Sequence, residues 1–212
     1  MTDRARIADL LKEQDHIVLS EFPILLPDLS TAQLFDLLDL LENAEIFTGR
    51  LPLRLQLYAA IAEFASQPSL RLIALLRLLR RLGSRKDTPD LGQIPPTSDD
   101  FAEYLFSKVD ELSDNHDLTE AVKSLAMTTR AYRSGDVKEM IEAAQSGLDA
   151  LSRIDAWNYP SSTLDLTDLA VCETGHELTF LAASGAFRGG DTDGAQRIAE
   201  TWAEKIDAWE ST

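Results

Sequence analysis

At 212 residues, with 44% hydrophobic and 26% charged side chains, the chain has an ordinary globular composition and is long enough for one large domain or two small ones. A chain of this size buries roughly 70% of its unfolded surface, so it needs neither disulfide nor metal to fold. Its single cysteine, Cys172, excludes an intramolecular disulfide and fits a reducing, cytoplasmic setting. Residues 1–97 carry 13 acidic against 11 basic side chains, whereas residues 98–212 carry 23 against 9. Such a field repels phosphate backbones and anionic lipid, which argues against nucleic acid or membrane as a partner. It would attract a basic protein, and the bland alternative is plain solubility.

The chain opens on a charged amphipathic segment with no apolar stretch or cleavage site of a secretion signal. His16–Leu19 and Phe22–Pro27 read as extended at most, because Pro23 and Pro27 make poor strand residues. The stripe Leu34, Leu37, Leu38 and Leu41 predicts a first clear helix, with Ser30 and Gln33 spaced as a capping box. Gly49 interrupts the chain, Pro52 suits a first helical turn, and Leu57, Tyr58, Ile61, Phe64 and Ala65 form the next stripe. A third helix is expected from Ser69 to Leu82, ended by Gly83. Its Leu-rich part from Leu70 would span only about 20 Å, too short for a bilayer, and arginines interrupt it.

Prolines, glycine and polar residues replace the apolar period over 84–98, the expected linker. Beyond it, Phe101, Tyr104, Leu105 and Val109 predict a helix over Asp99–Leu112. Asp117 with Glu120 is expected to open the next helix, which Gly135 closes. Asp136 with Glu139 opens another, with Val137, Ile141, Ala144, Leu148 and Leu151 inward. Trp157 to Ser162 reads as a loop, followed by a long helix over Leu166–Phe187 that Gly175 and Gly185 weaken. A last helix carries Ala195, Ile198, Ala199, Trp202, Ile206 and Trp209 on one face.

An internal echo joins two of these turns. Ala131-Tyr132-Arg133-Ser134-Gly135-Asp136 matches Ala186-Phe187-Arg188-Gly189-Gly190-Asp191, 55 residues later. In each copy the glycine supplies a left-handed turn and the aspartate caps the following helix. On these residues the stretch from about 117 to 210 resembles the tetratricopeptide-like helical-repeat superfamily, in which a Gly-Asp turn joins helix A to helix B. The resemblance implies stacked hairpins that form a groove for a peptide or protein. It also places Ala195 and Ala199 as small packing residues of a helix B, with Met140 replacing the first of them in the earlier copy. The spacing departs from the family's period of about 34 residues, and its terminal proline is missing.

Candidate sites each have a bland reading. Arg77, Arg80 and Arg81, with Arg85 and Lys86 beyond, make a cationic strip that could dock an acidic segment or a phosphate group. Alternatively they are the edge of a nearly buried helix, paired with acids such as Glu42 and Glu45. Trp157 and Tyr159 would be binding anchors if exposed, and otherwise pack over hairpin ends. Glu13/His16 and Glu173/His176 repeat the Glu-x-x-His spacing of di-iron bundles, without inward glutamates on two further helices. Cys172 and His176 lie one turn apart with no third group to orient the histidine. Asp191-Thr192-Asp193-Gly194 lacks the later ligands of a calcium loop and suits a helix cap better.

The sequence therefore predicts an all-α protein of stacked antiparallel helical hairpins, α-solenoid-like, with seven to nine helices. A Leu-rich helical unit over 1–83 precedes the linker 84–98 and an acidic helical array over 99–212. The expected role is a non-catalytic protein-interaction module for a basic partner: adaptor, chaperone, regulator or immunity-type inhibitor. No catalytic residue, cofactor or metal is assigned, and Arg77, Arg80, Arg81, Trp157 and Tyr159 are the candidate partner contacts. The alternatives are a helical metal-binding enzyme built on the Glu-x-x-His pairs, or a homo-oligomer joined through the Leu-rich helices.

Overall fold

The computed structural model describes residues 9, 11, 29–42, 50–82, 89–95, 97–154 and 166–210, and of 98, 99 and 206–210 the backbone alone. Among the described residues the protein is all-helical, with eight helices and no strand. No described helix is long and apolar enough to cross a membrane. The chain divides into two compact units, Met1–Thr97 and Ser98–Thr212.

In the first unit, α1 (Thr31–Glu42), α2 (Leu51–Phe64) and α3 (Pro68–Arg81) pack on one another. The capping box at the start of α1 forms: Gln33 N donates to Ser30 Oγ at 3.3 Å, and Ser30 N donates to Gln33 Oε1 at 2.9 Å. Pro52 and Pro68 occupy the first turns of α2 and α3, where their missing N–H leaves no bond unmade. Leu37, Leu38 and Leu41 of α1, Leu53, Leu57 and Ile61 of α2, and Leu70, Ile73 and Leu76 of α3 are all buried in this unit's core. Within the expected linker, residues 89–95 belong to this unit. Leu91 and Ile94 are buried, and the Asp90 carbonyl accepts from Gln56 Nε2 of α2 at 3.3 Å.

The second unit runs through α4 (Ser98–Leu112), α5 (His116–Ser134), α6 (Val137–Ser152), α7 (Leu166–Arg188) and α8 (Thr192–Glu210). Each helix packs on the next in sequence, and α7 also packs on α5. The echoed segments adopt the same turn. Gly135 and Gly190 take left-handed φ values of 79° and 85°, which only glycine adopts freely. Asp136 N donates to Ala131 O at 3.0 Å and Asp191 N to Ala186 O at 2.9 Å, the six-to-one bond of a Schellman ending. Each aspartate then caps the next helix, accepting from Glu139 N at 2.9 Å and from Gly194 N at 2.7 Å. The turns meet across the hairpins, because the Arg188 guanidinium lies 4.1 Å from the centroid of the Tyr132 ring.

Two local readings are corrected. Asn115, not Asp117, caps α5, its Oδ1 accepting from Leu118 N at 3.0 Å. Asp117 and Glu120 instead receive the Arg153 guanidinium from the far end of α6, with Nε 2.8 Å from Asp117 Oδ1. The buried face of α6 is also rotated from the expected stripe. Met140, Ala143, Ala144, Gly147, Ala150 and Leu151 are buried, whereas Val137, Ile141 and Leu148 are half-buried. The reason is close helix packing: a Cβ at Gly147 would sit 2.7 Å from Leu178 Cδ1 of α7. Gly175 of α7, read from sequence as a weak point, lies under the Trp202 indole of α8, which a Cβ there would overlap. On α8 itself Trp202 is buried and Ile198 half-buried, while Ala199 is exposed. Ile206 and Trp209 lie outside the described side chains.

Candidate functional site

The cationic strip on α3 turns largely inward. Arg77 is buried and donates through Nη1 to the Leu38 carbonyl at 3.0 Å, and its Nε lies 3.9 Å from Glu42 Oε1. Arg81 pairs with Glu42 and lies 5.8 Å from the centroid of the Tyr58 ring, whose hydroxyl donates to the same carboxylate. Burial, reinforced by that hydrogen bond to Glu42, pushes the Tyr58 hydroxyl well above the usual tyrosine range. Four polar side chains thus close one end of a leucine core. Of the strip's described arginines, Arg80 alone is exposed. Trp157, Tyr159, Arg85, Lys86, Glu13, Glu45 and His16 lie outside the described residues.

On α7, burial and then the nearby negative charges of Asp168 and Glu173 push the Cys172 thiol up to about 11. A thiol so raised is a poor nucleophile. His176 is exposed on the same helix. Among the described residues no group of three or more His, Cys, Asp or Glu side chains gathers as a metal site would require. Asp191 Oδ1 is engaged in capping, consistent with a helix start.

Two grooves in the second unit escaped the sequence reading. The first lies between α4 and α5, encloses about 240 Å³ and is lined by Ala102, Glu103, Phe106, Ala126, Met127 and Arg130. Phe106 and Met127 are 44% and 39% exposed there and lie side by side in the same groove. Charge frames them. Lys123 Nζ is 5.6 Å from the Phe106 ring centroid and is held by both oxygens of Asp110 at 2.8 Å, while Arg130 pairs with Glu139 at 3.5 Å. On α7, Phe180 and Phe187 are also exposed, two turns apart. The available signal was that Phe106 and Met127 fall off the apolar stripes of their helices. The second groove, between α6 and α8, encloses about 460 Å³ with a mixed polar lining.

No family model, curated protein or solved structure matches the chain. Its function is therefore read from these surfaces alone.

Proposed function

We propose that the chain is a non-catalytic protein-interaction module whose second unit, a tetratricopeptide-like stack of hairpins, docks an amphipathic helix of a basic partner protein. The observation that carries this reading is the apolar groove between α4 and α5, with Phe106 and Met127 exposed and Glu103 and Arg130 at its edge. A helix laid in such a groove buries apolar anchors spaced at i, i+3, i+4 and i+7. Charge complementarity selects the occupant: residues 98–212 hold 23 acidic and 9 basic side chains, so a cationic polar face is steered toward this unit. An adaptor, chaperone, regulator or inhibitor of a basic enzyme would each use this chemistry.

The test is affinity capture from the native lysate at low and moderate salt, comparing the wild-type chain with a Phe106→Asp/Met127→Asp variant whose helicity is verified. Expected is a stoichiometric basic partner, held by the wild type, released as salt rises and lost by the variant. Absence of a partner at either salt, or a partner indifferent to the variant, overturns the reading.

A further inference from the structure

The basic side chains of the second unit divide in an informative way. Of its nine Lys and Arg side chains, Lys108, Lys123, Arg130, Lys138 and Arg153 each pair with a carboxylate, and Arg188 lies over the Tyr132 ring. Arg197 and Lys205 have no ion-pair partner among the described residues, although this unit is rich in acids. Both line the groove between α6 and α8. They stand two turns apart on one face of α8, with Thr201 between them, so their cations flank a single ridge. With Asp149 and Asp191 also in the lining, the groove holds as many cations as carboxylates and lacks the negative excess of the rest of the unit.

The rest of the lining fits an organic ligand. Leu148, Ile198 and buried Trp202 supply apolar surface. Thr179, 6% exposed, lines the same groove, and its Oγ1 has no hydrogen-bond partner among the described residues. Other buried threonines here return the hydroxyl to the carbonyl four residues back, as Thr128, Thr129 and Thr174 do. The two acids in the lining are held internally, Asp149 by Gln145 Nε2 at 2.8 Å and Asp191 by Gly194 N at 2.7 Å. The volume, about 460 Å³, falls in the range of small-molecule sites rather than of extended protein interfaces.

We propose that the groove between α6 and α8 binds a small organic anion, its carboxylate or phosphate on Arg197 and Lys205 and its apolar body against Trp202, Leu148 and Ile198. This site is separate from the groove between α4 and α5 and does not depend on the partner reading. An apolar ring carrying one anionic group is the simplest ligand of this class.

The probes are phenylacetate, phenyl phosphate, neutral phenylacetamide and inorganic phosphate, titrated into the ¹⁵N-labelled full chain. The readout is the Trp202 indole N–H and the amides of α6 and α8, with the indole resonance assigned through Trp202→Phe. Expected is saturable movement of these resonances with phenylacetate or phenyl phosphate, with phenylacetamide binding about tenfold more weakly for want of a charge-assisted bond. Arg197→Gln/Lys205→Gln, both substitutions at the groove wall, should weaken the anions by a similar factor and leave the amide unchanged. The proposal is overturned by no saturable shift up to about 10 mM, beyond the affinity expected of fragments. It is equally overturned by equal binding of acid and amide, by inorganic phosphate binding as tightly as phenyl phosphate, or by indifference to the double variant.

Discussion

Replacing Gly175 with alanine should destabilise the second unit, although the same change in an exposed helix would stabilise it. In a helix interior alanine is favoured over glycine by about 1 kcal/mol. Against that gain, a Cβ at Gly175 would overlap the Trp202 indole. Forcing an extra methyl into a filled contact costs about 1–3 kcal/mol, and the upper part of that range applies because the ring cannot shorten. The net expectation is a loss of about 1–2 kcal/mol after the propensity gain is subtracted. Trp202→Ala alone should cost about 3 kcal/mol, the lower end for a large aromatic at the outer helix of the stack. In that background the obstruction is gone, so Gly175→Ala should change sign and stabilise by about 1 kcal/mol. All three tryptophans lie beyond residue 97, so urea unfolding followed by tryptophan fluorescence reports the second unit without interference from the first. Stabilisation by Gly175→Ala in the wild-type background, or the same effect in both backgrounds, refutes the packing argument.

Tyr58 gives the first unit a pH dependence of definite sign. Its hydroxyl is held protonated above the usual value near 10 by burial and by Glu42, so the unfolded chain releases a proton first as pH rises. Its stabilisation is complete at neutral pH and falls once pH passes about 10. Measured as the difference in unfolding free energy between wild type and Tyr58→Phe, it should shrink above that pH, and a constant difference through pH 11 would contradict the assignment. With its thiol pushed up to about 11, Cys172 should be alkylated by iodoacetamide at pH 8 about a hundredfold more slowly than an unstructured cysteine. Reaction at the free-peptide rate would show the side chain to be accessible and unshifted.

The helices were legible because most carry one apolar stripe between explicit stop signals. The box at Ser30 and Gln33 and the Gly-Asp turns at 135–136 and 190–191 act locally, and their geometry follows from a few adjacent residues. Long-range competition explains the misses. Asp117 and Glu120 have ideal capping spacing, yet Arg153, 36 residues from Asp117, engages both and leaves the cap to Asn115. The buried face of α6 differs from the expected stripe because the helix lies against both α5 and α7, and Gly147 brings it close to Leu178 of α7. Sequence could name a charged strip on α3 and offer Glu42 as its partner, but not decide between docking and internal pairing, since that depends on where α1 ends. The grooves appear only once neighbouring helices are placed, because each takes its lining from more than one helix.

Neighbours in the chain are neighbours in space throughout the second unit, from α4 to α8, and the most extensive longer reach among the described residues is α7 onto α5. Such an arrangement relies mainly on contacts between helices consecutive in the chain, and low contact order of this kind favours rapid assembly. The α5–α6 hairpin is secured at both ends, by the turn at Gly135 and by Arg153 reaching back to Asp117 and Glu120. It is therefore a natural unit of evolutionary growth: a copy inserted beside it would find a prepared face on one flank and leave the other contacts in place.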